Sequence, residues 1–342
     1  MASSTHGDAR GAVTMQQVAE ALGVSVSTVS LAFRDSPVVA AGTRERVRAE
    51  AERLGYVYHR AAANLRRRRS NLIGLLVPNI TNPFVAEMAG GVQDLIAAHG
   101  FALVLANTRG SVEQQLTLVR TLAEQRAAGA IAIPMLDTPA EHVSPQNTGG
   151  LPFVLVNRDI EGSGLPFVQQ DDRTIVDLAV DHLLDVHDVR TVGYFGGLEA
   201  AGPRRARLAR VRERIGSLAD EWSAGTVPSP EIAYATAKRL LAAGRPPDAL
   251  ICHSDELAWA LLRALTEAGI GPDRCRVIGI DGIATSALFS PALTTVSVDA
   301  AGEGRRAGAL LLGMIGVAVP EVDTAAPELL VRESCGCVAE GR

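Results

Sequence analysis

Lysine is nearly missing from this chain. Lys238 is the only one in 342 residues, and every other fixed positive charge is arginine. Cysteine is sparse as well: Cys252, Cys275, Cys335 and Cys337 are too few for a disulfide framework in a chain this long. The pair Cys335-Gly-Cys337 is suggestive of a metal, but no second Cys pair or neighbouring His cluster stands near it to complete four ligands, so free thiols and no metal are expected. No run of roughly eighteen apolar residues occurs, which excludes an obvious membrane span and any membrane partner built on one. The first dozen residues, MASSTHGDARGA, are small and polar and lack the apolar centre of a signal peptide, so a cytoplasmic location is expected. The motifs of common enzymes are missing too: no G-x-G-x-x-G follows a strand, and there is no P-loop and no G-x-S-x-G. The seven histidines are scattered without metal-ligand spacing. An enzyme is therefore not expected, nor is a cofactor.

What is present is an ordinary globular composition, 47% hydrophobic and 21% charged, long enough for two or three domains with real cores. The net charge of -5 conceals a division. Residues 1–70 hold eleven Arg against six Asp and Glu, whereas the remainder is strongly acidic. A basic head on an acidic body suggests that the head alone meets a polyanion.

The head reads as short helices. Thr14 opens a capping box with Gln17, and Val18 and Leu22 lie four apart on one face. Gly23 supplies a tight turn, and Ser25 caps a second helix in which Val29, Ala32 and Phe33 point inward. Ser27, Ser30, Leu31 and Arg34 then fall outward, with Val26 at the exposed N-terminal end. A third helix is expected from Thr43 to near Gly55, with Val47, Ala51 and Leu54 as its inner stripe. Two helices joined at Gly, the second presenting its first turn, form the geometry of a helix-turn-helix. The second helix, VSVSTVSLAF with its cap, is unusually plain: it has none of the Arg, Lys, Asn or Gln that most often read base edges. The following stretch, YHRAAANLRRRRSN, sets one leucine among adjacent arginines. Such a segment is marginal as a helix in water and suits one that folds against DNA, with Leu65 wedged into a minor-groove step.

From Leu72 the pattern becomes strands alternating with helices. LIGLLV, FALVLAN, AIAIP and PFVLVN are continuous apolar runs of the kind buried in parallel sheets, and after Gly162–Gly164 the pattern restarts with VGYFGG, DALICH and RVIGID. The fold expected is α/β: an all-α helix-turn-helix head and a body of two doubly wound parallel-sheet lobes with a cleft between them. Ligands in such sheets sit beyond the carboxyl ends of the strands. Those positions carry Asn79 and Asn82, then Asn157, Arg158 and Asp159, then Ser254 and Asp255, and finally Asp281. Converging amides and carboxylates suit a polyhydroxylated ligand.

The run from VTMQQVAEALG through NLRRRRSNLIGLLVPNITNPF resembles the lactose/galactose repressor (LacI/GalR) family, and the likeness continues more weakly to LLVRESCG. The resemblance implies a body like a type I periplasmic binding protein. It puts base reading on Val26, Ser27 and Leu31, phosphate contacts on Thr28 and Ser30, and the inserted hinge leucine on Leu65. The chain departs from the family at Leu31 and Arg34, usually Arg and Asn, so the usual operator is not expected. In the body the resemblance assigns effector binding to Arg207 and Asp281, a wall to Phe84, and a polar pair to Ser254 and Asp255. The stretch 216–230 is shorter than the family's, so one strand and part of the pocket rim are expected to be missing or rebuilt around Trp222.

The expected DNA-facing set is Thr14, Ser25, Val26, Ser27, Thr28, Ser30, Leu31 and Arg34 in the head, with Arg60, Asn64, Leu65 and Arg66 in the hinge. The expected ligand-facing set is Asn82, Phe84, Asn157, Arg207, Ser254, Asp255 and Asp281. In domain terms, 1–12 is a tail, 13–58 the head, 59–70 the hinge, 71–334 the body and 335–342 a tail. Within the body one lobe takes about 71–160 with a return crossing near 291–325, the other about 161–290 with about 326–334. The function expected is a homodimeric repressor on a pseudo-palindromic double-stranded DNA site, controlled by a small-molecule effector, a sugar or sugar derivative. A purine-responsive corepressor system is the alternative, and a solute-binding protein without DNA binding a remote one.

Overall fold

The computed structural model describes residues 13–56, 70–215 and 218–337. It falls into two units that divide between Arg69 and Ser70.

In the first unit α1 (Met15–Leu22), α2 (Val26–Phe33) and α3 (Ala41–Leu54) enclose a small core of Val18, Ala19, Val29, Ala32, Val39, Val47 and Ala51. The capping box is complete: Thr14 Oγ1 accepts from the Gln17 amide at 3.3 Å, and Gln17 Oε1 accepts from the Thr14 amide at 2.8 Å. Gly23 takes the left-handed conformation (φ 66°) that ends α1 and turns the chain into α2. The third helix starts earlier than its sequence suggests. Ala40 precedes its first turn and Thr43 lies inside it, with no side-chain cap.

In the second unit two five-stranded sheets each form the middle of a lobe. The first contains β1 (Leu72–Val77), β2 (Ala102–Asn107), β3 (Gly129–Ala132), β4 (Phe153–Val156) and β5 (Phe167–Val168), ordered β2-β1-β3-β4-β5 and parallel throughout. Helices α4 (Pro83–Ala98) and α5 (Val112–Glu124) cover it. The second sheet contains β6 (Val192–Phe195), β7 (Ala249–Cys252), β8 (Arg276–Asp281), β9 (Thr294–Ser297) and β10 (Glu328–Leu330), of which β10 alone runs antiparallel. It carries α6 (Asp172–His187), α7 (Gly202–Arg214), α8 (Pro230–Ala243) and α9 (Asp255–Glu267).

Three connections join the lobes, and their positions correct the boundaries expected from sequence. The strand Phe167–Val168 belongs to the first sheet, so the first crossing follows it rather than residue 160. Likewise β9 pairs with β8, so the return begins only after Ser297. It leads into α10 (Ala300–Met314), which packs on α4 of the first lobe, and the chain then goes back to β10. The α4–α10 contact is so close that side chains are excluded on both helices. A Cβ at Gly91 would stand 1.9 Å from the Ala301 carbonyl oxygen, and one at Gly304 would stand 2.1 Å from that of Met88.

Two further expectations change. FALVLAN is not buried like the other runs: β2 is an edge strand, with Val104 and Leu105 39% and 45% exposed. Among the described residues of the 216–230 region there is no regular strand. An isolated parallel bridge joins Leu218 to Val192 of β6 there. Trp222 follows in a short 3-10 turn and plugs the gap, buried, with its indole N–H donating to the Arg245 carbonyl at 3.1 Å. No helix among the described residues is long and apolar enough to cross a membrane.

Candidate functional site

A cavity of about 490 Å³ opens where the carboxyl ends of the two sheets face each other. That is within the usual size of a small-molecule site, roughly 300–1,000 Å³. Its walls come from the loops after β1, β2 and β4 on one side, and from α7 and the loops after β7 and β8 on the other.

The first lobe contributes groups at sharp backbone turns. Asn82 lines the cavity while its Oδ1 accepts from the Phe84 amide at 2.8 Å, which caps α4 and leaves the carboxamide nitrogen for a ligand. Phe84 follows as a buried apolar wall. Asn157 ends β4 in the left-handed region (φ 63°), and Arg158 beyond it donates from Nη1 to the Pro134 carbonyl at 3.3 Å. Arg109, also left-handed (φ 51°), is exposed at the rim.

The second lobe contributes an interlocked set. Arg207 of α7 is 4% exposed, and its Nε donates to Asp172 Oδ1 at 2.6 Å. Nη1 donates to the His253 carbonyl at 3.2 Å, and Nη2 donates to Gln170 Oε1. These bonds use three of the five guanidinium N–H groups, and the Tyr194 hydroxyl lies within reach of the guanidinium as well. His253 is held by the Tyr194 hydroxyl, 2.8 Å from Nδ1; burial, together with the positive charge of Arg207, keeps its imidazole well below the usual pKa and therefore neutral.

Asp281 ends β8 with φ 132°, a conformation that costs a non-glycine residue on the order of 1–3 kcal/mol and is typical of built sites. Gly282 after it passes so near Ser297 that a Cβ would lie 2.5 Å from its Cα. The strain aims the carboxyl at the cavity, where Oδ2 is buried without a hydrogen-bond partner among the described residues. Burial, reinforced by the nearby charge of Asp255, pushes the Asp281 carboxyl well above the usual range.

Asp255 itself is a correction. It is fully buried and does not line the cavity. Its Oδ2 accepts from the Ile283 amide at 2.9 Å and Ser286 Oγ at 2.8 Å, and its Oδ1 accepts from Thr295 Oγ1 at 2.5 Å. The residue ties α9 to the loops around β8 and β9, and both its oxygens are engaged away from the cavity. Its neighbour Ser254 does line the cavity, and its Oγ caps α9. The structure thus gathers Asn82, Phe84, Asn157, Arg207, Ser254 and Asp281 around one space and leaves Asp255 behind it.

Sequence reasoning missed Arg109, Gln170 and His253, which also line the cavity. Arg109 and His253 follow β2 and β7, so the strand-end rule that found Asn157 and Asp281 applied to them equally. Gln170 follows a strand of only two residues, too short to show as an apolar run. Glu303 of α10 neighbours Gln170, and the two line a smaller pocket together. It is buried, its Oε2 has no partner among the described residues, and burial pushes its carboxyl up to about 7 against the lowering effect of Gln170.

In the head, Val26 and Ser27 are exposed at the first turn of α2, and Thr28 and Ser30 are half-exposed. Ser25 Oγ accepts from the Thr28 amide at 3.1 Å, and Thr14 is engaged in its own capping box, so both shape helix ends. Arg34 folds back onto Ser30, donating from Nε to its carbonyl at 3.0 Å and from Nη2 to its Oγ at 3.1 Å. Leu31 does not point fully outward, because it packs partly against the head's core. Arg60, Asn64, Leu65 and Arg66 lie outside the described residues.

A three-helix unit with an exposed second-helix turn, followed by a two-lobed body whose cleft sets charged and amide groups among apolar ones, defines a DNA-binding regulator of the ligand-sensing kind. Residues 14–58 match the lacI family of bacterial regulatory proteins, and residues 180–335 match the periplasmic binding protein-like domain. The chain is 32% identical to the ribose operon repressor of Bacillus subtilis (strain 168), over 88% of this chain and 91% of that protein. It is also 32% identical to the HTH-type transcriptional regulator MalR of Streptomyces coelicolor, over 94% and 96%, and 29% identical to the repressor PurR of Photobacterium profundum, over 94% and 98%. Among solved structures, the lac repressor dimer bound to operator superposes with a TM-score of 0.79 at 24% identity over 95% of this chain and 99% of that one, a likeness of fold. The CelR–cellobiose complex superposes with a TM-score of 0.67 at 26% identity, over 94% and 99%. The chain belongs to the lacI family of bacterial transcriptional regulators. It is a DNA-binding regulator and not an enzyme.

Proposed function

We propose that this protein represses transcription as a homodimer on a pseudo-palindromic operator, and that a sugar or sugar derivative in the interlobe cleft sets its affinity for DNA. The observation that carries the ligand class is the composition of the cleft wall. Arg207, Asp281, Asn82, Asn157 and Arg158 surround the cavity, and Phe84 is the one Phe, Tyr or Trp among its lining residues. Fixed donors and acceptors set among apolar residues, with Phe84 and the His253 imidazole as the only rings besides proline, suit the hydroxyl groups and carbon faces of a sugar better than a purine, which gains most from stacking. The sugar-linked names of the ribose operon repressor and the CelR–cellobiose complex support the same class. Dimerisation is supported by the exposed apolar residues Val104 and Leu105 on the edge strand β2, and by the two-fold logic of a palindromic site. A regulator of this kind acts in the cytoplasm.

Base reading in the head falls to Val26 and Ser27, with Leu31 reaching from its half-buried position. Apolar contacts to thymine methyls and single hydroxyl bonds discriminate less than a bidentate arginine, so more of the specificity falls to Arg34, the hinge around Leu65, DNA deformability and half-site spacing. Closure of the lobes on the ligand changes the population of the DNA-competent dimer, and linkage makes the effect reciprocal. The test is a thermal-shift and calorimetric screen of the full chain against sugars, sugar phosphates and purines, repeated with operator DNA. A sugar that binds, and whose affinity operator DNA changes by the factor by which the sugar changes operator affinity, supports the reading. Binding by purines alone overturns the ligand class, and equal ligand affinity with and without operator overturns the coupling.

A further inference from the structure

The fold supplies what the sequence around Cys335-Gly-Cys337 lacks. His182 and His187, both on α6 and some 150 residues earlier, lie against the two cysteines. Cys337 Sγ is 3.4 Å from His187 Nε2 and 3.8 Å from His182 Nε2, and one ligand atom from each of the four residues falls within 4.8 Å of all the others. The two imidazole rings meet edge to face, with centroids 5.0 Å apart. From these positions we propose a Zn²⁺ site of the Cys₂His₂ type, formed by His182, His187, Cys335 and Cys337, that fastens the C-terminal segment to α6.

The metric test is direct. Zinc binds sulfur at about 2.3 Å and imidazole nitrogen at about 2.0–2.1 Å, so the edges of a tetrahedral set measure roughly 3.4–3.8 Å. The Cys337–histidine distances already meet this, and the longest separation requires a contraction of about 1 Å. Gly336 makes the sulfur placement possible: its left-handed conformation (φ 89°) turns the chain between the two cysteines. The segment is otherwise anchored by Ser334, whose Oγ donates to the Val277 carbonyl at 2.6 Å and accepts from the Thr294 amide at 2.8 Å. Two thiolates, two neutral imidazoles and one divalent cation sum to zero, so the nearby Arg276 guanidinium does not oppose the ion. Four protein ligands leave no open position, which makes the role structural rather than catalytic. The beneficiary is α6, whose opposite end supplies Asp172 to Arg207.

The experiment uses the full chain, purified under reducing conditions, loaded with zinc sulfate, desalted and assayed by elemental mass spectrometry. About one zinc per chain is expected from a single four-ligand site. Cobalt substitution is expected to give tetrahedral d–d bands together with thiolate charge transfer. Cys337→Ser and His182→Gln are each expected to lose at least tenfold in zinc retained, while Cys252→Ala, at a buried thiol outside the cluster, keeps it. Circular dichroism verifies that each variant is folded, and a variant that unfolds is replaced by His187→Gln. Removing zinc with a strong chelator is expected to lower the melting temperature by about 5 °C or more, the shift that a few kcal/mol produces in a domain of this size. Wild-type protein that retains no zinc, variants that retain it fully, a Cys335–Cys337 disulfide formed in reducing buffer, or an unchanged melting temperature after metal removal would each overturn the site.

Discussion

The two lobes face one cavity with polar groups prepared in different ways. In the first lobe each group makes few bonds: Asn82 bonds its own helix start, Asn79 accepts from Thr81 two residues on, and Arg158 reaches one carbonyl, that of Pro134, 24 residues earlier. In the second lobe Arg207 is bonded to Gln170 and Asp172, neighbours on one segment 35–37 residues before it, and to the His253 carbonyl 46 residues after it. The lesson is a division of labour. The second lobe holds a fixed frame of charge whose parts are also parts of the fold, whereas the first lobe presents separable groups that adapt the site to a particular ligand. Substitution is therefore expected to affect stability and binding together in one lobe, and binding alone in the other.

The largest effect is expected at Arg207. Arg207→Met leaves the Asp172 carboxylate buried without its partner, and breaking a buried pair from one side costs about 3–5 kcal/mol. The melting temperature is expected to fall by about 10 °C, and calorimetry is expected to find effector binding lost. Adding Asp172→Leu removes the stranded charge and restores much of the stability but none of the binding. If the single variant melts like wild type, Arg207 is not part of a frame and the contrast between the lobes fails.

A smaller effect sharpens the contrast at the crossing where the frame meets α10. The unfolded chain ionises Glu303 near the ordinary 4.5, and the folded chain only at about 7. Between those values the native state retains a proton that the unfolded state has lost, so stability falls as pH rises through the window. Above about pH 7 the whole penalty is present, on the order of 3 kcal/mol, and below 4.5 none of it. Glu303→Gln removes it. Chemical denaturation is expected to show wild type and variant alike near pH 4.5, with the variant gaining about 2–3 kcal/mol by pH 8. A difference that does not change with pH would mean that the carboxyl titrates normally.

Much of this architecture was legible in the sequence, because the head and the parallel strands are local patterns. Thr14 with Gln17, Gly23, and the runs LIGLLV, PFVLVN and RVIGID each specify their element within a few residues. What escaped depended on distance along the chain or on position in a sheet. FALVLAN reads like its neighbours, yet it lies at an edge, and an apolar run does not say how many strands flank it. Asp255 stands at a strand end as Asp281 does. It is withdrawn because Thr295 and Ser286, some 30–40 residues later, arrive to bond it. Gln170 follows a strand too short to register, and the histidines that meet Cys335 and Cys337 lie some 150 residues before them. Chemistry at a strand end is visible in sequence; which of two carboxylates the fold consumes is not.

The smallest expected effect tests the other half of the comparison. Arg109 lines the cavity from the first lobe but is exposed, and its guanidinium makes no hydrogen bond or ion pair among the described residues. Its left-handed backbone is strained for alanine as much as for arginine, so Arg109→Ala changes neither a partner nor the conformational cost. Stability is expected to stay within about 0.5 kcal/mol of wild type, as for a surface site free of special features. The effect belongs to the ligand. A sugar phosphate, if that is the effector, would lose about tenfold in affinity with the loss of one charge-assisted bond, while a neutral sugar would bind within about twofold of wild type. Paired titrations of wild type and variant with a sugar and its phosphate read this out. A drop in melting temperature comparable to that of Arg207→Met would show that the first lobe is framed as rigidly as the second, and the division of labour between them would have to be abandoned.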